Sequence, residues 1–226
     1  THPGTARFIS RKLCAHFVQH SPPESLVKRV SDTFASTQGD IKSMLRVLFH
    51  SEEFAASRGQ LLKRPFKFLV CALRATAAET NAEDGILEPL HRMGHGLFQY
   101  PTPDGYPEEE LPWMGTLLWR WNFALALAAN KQPGAKVTLS PLAHALGAVE
   151  TEGDADPERW FSHCIGRSPS ATESAALRLV LQDASNEEHG APNAKGERRV
   201  SPRTRALNKS EVALGVVLAS PAFQRC

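Results

Sequence analysis

The chain has 226 residues, of which 42% are hydrophobic, so it is long enough to bury the core of one large or two small domains. Its 26 basic and 24 acidic residues leave a net charge of +2, which gives no electrostatic reason to expect a nucleic acid or an anionic membrane as a partner. The longest strongly apolar run, Phe123 to Ala129, is far shorter than the roughly 20 residues of a membrane span, so no transmembrane helix is predicted.

Apolar residues recur at helical spacing up to Asn130 and predict six helices. In the first helix Ile9, Leu13 and Phe17 form a single stripe, which is typical of a helix with one face in a core. The second helix ends near Gly39, Asp40 caps the third, Pro65 begins the fourth, and the fifth and sixth run from Asp84 to Met93 and from Trp113 to Asn130. On the fourth helix the side chains expected to face inward are Phe66, Leu69, Val70 and Leu73.

Two segments far apart in the chain share one pattern. Val47–Phe54 and Val216–Phe223 each have three apolar residues, a small or polar residue, Ser, two more residues and Phe. The pattern predicts a helix that ends at a Ser, which caps a following turn while the Phe folds back onto the apolar face. An internal duplication and a coincidence between two helices both explain the match.

The composition changes after Asn130. A Pro/Gly connector runs from Lys131 to Thr138, and shorter helices are predicted at Pro141–Leu146, Pro157–Ile165, Thr172–Gln182 and Lys209–Ala219. Residues 185–205 are polar and rich in Gly and Pro, so a flexible loop is expected there. We therefore predict a helical core region at 1–134 and a C-terminal helical region at 135–226, although one continuous domain fits equally well.

These patterns together predict the fold class. No stretch shows a sustained period of two, and the Val and Ile residues lie within helical patterns. The expected fold is all-α, an irregular multi-helix bundle of roughly nine or ten helices with no significant sheet.

The residues that could bind a metal are few. Cys14, Cys71, Cys164 and Cys226 are widely spaced, which gives no support for zinc or c-type haem, and the apolar surroundings of Cys14 and Cys71 favour buried free thiols over disulfides. His91 and His95 have the four-residue spacing that places two imidazoles on one helical face for a metal. Because Gly94 interrupts the helix between them, neither a metal nor a cofactor is predicted.

The segment from Tyr100 to Trp113 combines aromatic rings and carboxylates with prolines at 101, 103, 107 and 112. Because proline limits backbone freedom, the loop is expected to present Tyr100, Asp104, Tyr106 and Trp113 in one arrangement. Such a surface fits a sugar or one wall of a cleft, with Asp104 as a candidate acid or base, and it also fits a rigid turn whose rings cover helix ends. These four residues are the first candidates for a functional surface, and His91 and His95 are the second.

Five segments carry a resemblance to a known family. They are His2–Leu13, Arg64–Ala75, Met93–Phe98, Gly105–Pro107 and Leu218–Gln224, which contain the patterns His-Pro-x-Thr-Ala, Arg-Pro-Phe-x-Phe, Met-Gly-His, Gly-Tyr-Pro and Ser-Pro-x-Phe-Gln. Together they resemble the signatures of a large bacterial family, domain of unknown function number 1800. Two residues depart from the family pattern: His95 stands where the family usually has Gln, and Tyr106 where it usually has Trp.

The resemblance carries expectations that composition and spacing do not supply. Members of that family are about twice as long and are often exported, so the resemblance implies the C-terminal half of an exported bacterial protein, with the preceding N-terminal half as its partner. Its activity is uncharacterised. Two interpretations follow: part of an enzyme whose site lies mostly in the N-terminal half, or a non-catalytic interaction or surface-assembly module.

Overall fold

A computed structural model describes residues 3–139, 142, 146, 156–188 and 208–226. These residues are mostly helical, and the prediction of an all-α fold is confirmed. The single sheet among them is a two-stranded antiparallel ladder between β1 (Glu79–Thr80) and β2 (Ala135–Lys136). In this part of the chain no helix is long and apolar enough to cross a membrane.

The described residues contain eleven α-helices and one 3-10 helix. In chain order they are α1 (Pro3–Phe17), α2 (Glu24–Ser36), α3 (Ile41–Phe49), α4 (Glu52–Ala56), α5 (Pro65–Ala75), α6 (Asp84–Arg92), a 3-10 helix (Leu111–Thr116), α7 (Leu117–Ala128), α8 (Pro157–Ile165), α9 (Ala171–Glu188), α10 (Lys209–Ala219) and α11 (Pro221–Gln224). Asp40 caps α3 as expected, because its carboxylate accepts the Ser43 N–H at 2.9 Å. The predicted sixth helix is two elements, the 3-10 helix and α7.

The contacts between residues divide the chain into two compact units. Unit 1 contains Thr1–Arg64, Pro107–Pro112 and Arg225–Cys226, and unit 2 contains Pro65–Tyr106 and Trp113–Gln224. The regions 1–134 and 135–226 expected above rest on composition and family signatures rather than on contacts, and that division stays a prediction.

Unit 1 is built on α1, α2 and α3. Their apolar stripes meet in a small core formed by Cys14, Val18, Leu26, Val27, Val30, Met44 and Leu48. The rings of Phe17, Phe49 and Phe54 extend this core, with centroids 5.1 and 5.0 Å apart. The last residues of the chain also belong to this unit, because the Cys226 N–H donates to the Leu61 carbonyl at 2.9 Å and Arg225 pairs with Glu110.

The core of unit 2 is larger than that of unit 1. It surrounds α10, which is apolar on every side after its first turn and packs against α7, α8 and α9. Asn208 and Glu211 begin α10 with a capping box. The expectation for α5 is wrong in part. Its buried side chains include Phe68, Leu69 and Ala72, whereas Phe66 is exposed and Val70 and Leu73 are half-buried.

The repeated Ser pattern has one geometry at both places. The Ser51 hydroxyl donates to the Leu48 carbonyl at 2.6 Å and accepts the Phe54 N–H at 3.2 Å. The Ser220 hydroxyl donates to the Val217 carbonyl at 2.7 Å and accepts the Phe223 N–H at 3.2 Å. In each case the Ser ends one helix and begins a short second one, so the predicted helix–Ser–turn arrangement is confirmed.

Parts of the C-terminal expectations lie outside the described residues. The predicted helix at 141–146 is described only at Leu142 and Leu146. Helix α9 extends beyond the predicted end at Gln182 to Glu188, so residues 185–188 of the expected loop are helical. The rest of that loop, 189–205, lies outside the described residues.

Candidate functional site

Unit 2 gathers four aromatic rings at the end of the segment that follows α6. The imidazole of His95 stacks on Trp113, with ring centroids 5.1 Å apart and an interplanar angle of 25°. Tyr106 lies 4.4 Å from His95 on another side, and Tyr100 lies 4.7 Å from Tyr106. Three of the four first-ranked candidates, Tyr100, Tyr106 and Trp113, are therefore brought together around His95, which belongs to the second-ranked pair. We call these four residues the aromatic cluster.

His95 is buried, and it is tied to the beginning of α5. Its Nδ1 accepts the backbone N–H of Phe66 at 3.3 Å. Phe66 is in the first turn of α5, where N–H groups have no acceptor inside the helix. A ring nitrogen that accepts a hydrogen bond carries no proton, so this contact fits a neutral His95 ring with its proton on Nε2.

The turn between α6 and the cluster is shaped by residues with positive φ. Gly94, at φ 71°, ends α6, and Phe98 adopts φ 58° with its ring fully exposed. A left-handed conformation is costly for a large side chain, so the surrounding contacts must hold it. Two of them are a hydrogen bond from the Tyr106 hydroxyl to the Gly96 carbonyl at 2.7 Å and a 3.2 Å bond between Gln99 Nε2 and His91 Nε2.

The two histidines lie in different environments. His91 is exposed on α6 and bonds to Gln99, whereas His95 is buried with its Nδ1 engaged by Phe66. Within the described residues no group of three or more His, Cys, Asp and Glu side chains is placed to hold a metal ion.

Asp104 is exposed in the same loop. A hydrogen bond from the Thr102 side chain, with a second from the Asp104 backbone N–H, holds the pKa of its carboxyl below the usual range. A carboxyl of this kind stays ionised and is a weak general acid. The contacts of Asp104 are those of a turn residue, since Gly105 N–H donates to the Thr102 carbonyl across the same turn.

A buried arginine supports the cluster from α7. Arg120 Nε donates to the Thr116 hydroxyl at 2.9 Å, and that hydroxyl donates to the Trp113 carbonyl at 2.7 Å. On its other side Arg120 Nη1 donates to Gln224 Oε1 at 3.1 Å, and the guanidinium lies 5.4 Å from the centre of the Phe68 ring. Burial lowers the pKa of Arg120 to about 10, which still leaves it charged at neutral pH.

Sequence reasoning missed the role of Arg120. The Arg120 guanidinium lies over Phe68, whereas the neighbouring Trp119 contacts Arg92 at 5.0 Å. The available signal was an arginine in a helix whose one other polar residue is Asn122, placed four residues after Thr116.

A second feature of unit 2 is an apolar groove between α7, α8, α9 and α10, with a volume of about 560 Å³. Most of its lining is aliphatic or aromatic, and the large side chains are Trp121, Leu125, Phe161, Leu177, Val180 and Val216. Its polar side chains already form hydrogen bonds within unit 2. Trp121 Nε1 donates to the Ala219 carbonyl at 3.0 Å, and the Ser220 hydroxyl donates to the Val217 carbonyl. The Glu173 carboxylate accepts hydrogen bonds from Nη1 and Nη2 of Arg167 at 2.8 and 2.7 Å.

The groove continues into an exposed face of α7. Leu118, Trp121 and Leu125 lie at helical spacing and are 60%, 44% and 46% exposed, and we call them the α7 face. The opposite side of the same helix buries Phe123, Ala124 and Leu127. A helix with apolar residues on most sides is typical of one covered on those sides, and here the α7 face is only partly covered among the described residues.

Comparison with known proteins gives one match. A family model described as a protein of unknown function, DUF1800, matches residues 1–225, which is essentially the whole chain. The chain matches no curated protein sequence and no solved structure significantly.

Proposed function

The chain therefore belongs to the DUF1800 family, and on this premise we propose that it is a non-catalytic packing module in a larger helical protein. In this proposal a preceding half of the same protein covers the α7 face and the groove beside it. The observation that carries the proposal is the α7 face, where three large apolar side chains are 44–60% exposed on a helix that already buries Phe123, Ala124 and Leu127 on its other side.

The chemistry of the groove supports a polypeptide with apolar side chains as its occupant. The hydrogen-bonding groups of Trp121, Ser220 and Glu173 are engaged within unit 2, so a sugar or nucleotide would lose its bonds to water and gain none from these side chains. The spacing of Leu118, Trp121 and Leu125 presents a stripe at i, i+3 and i+7, which is the pattern that one helix offers to another.

The test compares this 226-residue chain with a longer protein that includes the preceding family half. The chain alone is expected to bind a hydrophobic dye, and the longer protein to bind much less. The double variant Leu118→Gln/Leu125→Gln should reduce dye binding by the chain alone. Leu179→Gln is the matched control, because Leu179 is an exposed leucine of α9 outside the groove lining. A chain that is monomeric, folds cooperatively and does not bind the dye would contradict the proposal.

A second candidate function rests on Phe98. This ring is fully exposed at a positive φ beside the aromatic cluster, and such strain is concentrated at functional sites. We propose that the turn contributes one wall of an active or binding site whose other residues lie in the preceding half, with Tyr100, Asp104 and Tyr106 as further contacts. In the longer protein Phe98→Ala should reduce activity or binding without lowering stability. Phe8→Ala, at an exposed phenylalanine of unit 1, is the control.

Bacterial origin and export are also proposals, and the resemblance of the sequence segments to an often exported bacterial family supports them. Fractionation of a bacterium that expresses the longer protein tests the second of these. Recovery in the periplasm or the medium is expected, and recovery with the cytoplasmic markers alone would contradict it.

A further inference from the structure

The hydrogen bond between His95 and Phe66 makes an imidazole the cap of a helix. Helix α5 begins at Pro65, which has no N–H, so Phe66 carries the first N–H that needs an acceptor outside the helix. His95 Nδ1 supplies that acceptor at 3.3 Å from a turn 29 residues further along the chain. The start of α5 and the aromatic cluster are therefore joined through one ring nitrogen.

This arrangement requires the neutral imidazole. Protonation of Nδ1 would place a second donor against the Phe66 N–H and remove the hydrogen bond. It would also place a positive charge at the N-terminus of α5, which is the positive end of the helix dipole. Because His95 is buried, water cannot solvate that charge well.

The aromatic rings around His95 favour the charged form instead, because the faces of Trp113 and Tyr106 would attract an imidazolium. The charged or titratable groups on the surrounding segments of unit 2 are Lys67, Glu88, His91, Arg92, Tyr100, Asp104 and Tyr106. Glu88 is paired with Arg92 and Asp104 accepts from Thr102, so both carboxylates are engaged elsewhere. We expect the opposition of two N–H donors and the burial of the ring to outweigh the attraction of the aromatic rings, so the folded chain favours the neutral imidazole.

We propose that His95 is a pH-sensitive cap, which joins α5 to the aromatic cluster while it is neutral and releases Phe66 when it is protonated. Because the folded state then holds fewer protons on His95 than the unfolded chain does, the stabilisation is present above the usual histidine range, begins to decrease within that range and is lost completely only below it. The result is a loosening of the stack of Tyr100, Tyr106 and Trp113 under acidic conditions.

The experiment follows the near-ultraviolet circular dichroism of the aromatic rings from about pH 7.5 to about pH 4, which covers the range in which an ordinary histidine titrates and the lower range expected of a buried cap. The wild-type chain should lose signal as the pH falls. His95→Gln should keep its signal, because the Gln side chain retains an acceptor oxygen and does not titrate. His91→Gln, at the exposed histidine of the same segment, should behave like the wild type. A flat wild-type titration, or a transition that His95→Gln retains, would overturn the proposal.

A second measurement on the wild-type chain tests the proposal even if His95→Gln does not fold. Long-range proton–nitrogen NMR spectra of the wild-type chain at neutral pH distinguish the two neutral tautomers and the doubly protonated ring. The proposal requires the proton of His95 on Nε2. A proton on Nδ1 in the folded chain would overturn it.

Discussion

Gly85 and Gly215 offer the same substitution at two helical sites with opposite expected results. Both glycines lie inside helices, α6 and α10, where alanine is favoured over glycine by about 0.5–1 kcal/mol. The two sites differ in what an added Cβ would meet. At Gly85 it would lie 2.6 Å from the backbone carbon and oxygen of Pro133, and at Gly215 it would lie 3.0 Å from the end of the exposed Leu125 side chain.

The magnitudes follow from these neighbours. A backbone cannot move aside as a side-chain methyl can, so Gly85→Ala is expected to cost about 1–3 kcal/mol through overpacking. The shift also disturbs the 2.6 Å hydrogen bond from the buried Gln132 side chain to the Gly85 carbonyl, which is worth about 1 kcal/mol. After the gain in helix propensity, the net loss is about 1–3 kcal/mol. For Gly215→Ala the Leu125 side chain can rotate, and the net effect is between zero and a gain of about 0.5 kcal/mol.

Tryptophan fluorescence is the right probe for this comparison, because all four tryptophans of the chain lie in unit 2. Urea unfolding of Gly85→Ala should show a lower midpoint at an unchanged slope, and its melting temperature should fall by about 2–4 °C for each kcal/mol lost. Gly215→Ala should match or exceed the wild type. Equal stability of Gly85→Ala and the wild type would refute the steric reasoning, since it would mean that Pro133 yields without cost.

Three further predictions rest on local geometry. Ser220→Ala removes the cap of α11 and should cost about 1 kcal/mol in the same urea assay, whereas Ser220→Thr, which keeps the hydroxyl, should cost less. The Arg167 guanidinium, followed by Ser170, lowers the pKa of Glu173 from 4.5 to about 2, so the stability that this carboxylate contributes is present above about pH 4.5 and is lost as the pH falls toward 2. Glu173→Gln should therefore be less stable than the wild type at neutral pH, and the two should converge in acid; a constant difference would contradict this assignment. Burial raises the pKa of the Cys14 thiol to about 11, so a thiol reagent at neutral pH should label the exposed Cys226 and spare Cys14 until the chain is unfolded, and equal labelling rates in the folded chain would contradict the packing of unit 1.

Local periodicity was sufficient to predict where the longer helices lie but not which face of α5 is buried. The sequence of α5 is apolar nearly all round, so its pattern does not decide between Phe66, which was expected in the core, and Phe68, which lies there. The choice is made by partners far away in the chain: Phe68 meets Phe123 at 6.3 Å and Phe223 at 5.8 Å. A single sequence contains the apolar pattern of each helix but not the pairing of the helices.

The candidate site, like the helices, was predictable only in part. The prolines and aromatic residues of the 100–113 loop indicated a rigid group of rings, and three of those rings do lie together. The place of His95 among them was not predictable from its spacing to His91, because it depends on the bond to Phe66 and the stack on Trp113. Asp104 carries the carboxyl group that a catalytic acid needs, but its hydrogen bonds are those of a turn residue.

Two of the family-like segments contact Arg120 and a third is linked to it through Trp113 and Thr116, which indicates a structural reason for the family signatures. Phe68 comes from the Arg-Pro-Phe-x-Phe segment and Gln224 from the Ser-Pro-x-Phe-Gln segment, and both contact the guanidinium. Through Thr116 the same guanidinium supports Trp113, which stacks on His95 of the Met-Gly-His segment.

A buried charge of this kind fixes the identity of its neighbours. An aliphatic residue at position 224 would remove an acceptor from a charge that water cannot reach, which costs more than the loss of one ordinary hydrogen bond. The packing and hydrogen bonding of the buried Arg120 therefore explain the residue types around it, and no catalytic role is needed to account for them. Residues that serve a reaction or a partner should be sought where packing does not account for them, and in unit 2 the clearest of these are the exposed ring of Phe98 and the exposed leucines of the α7 face.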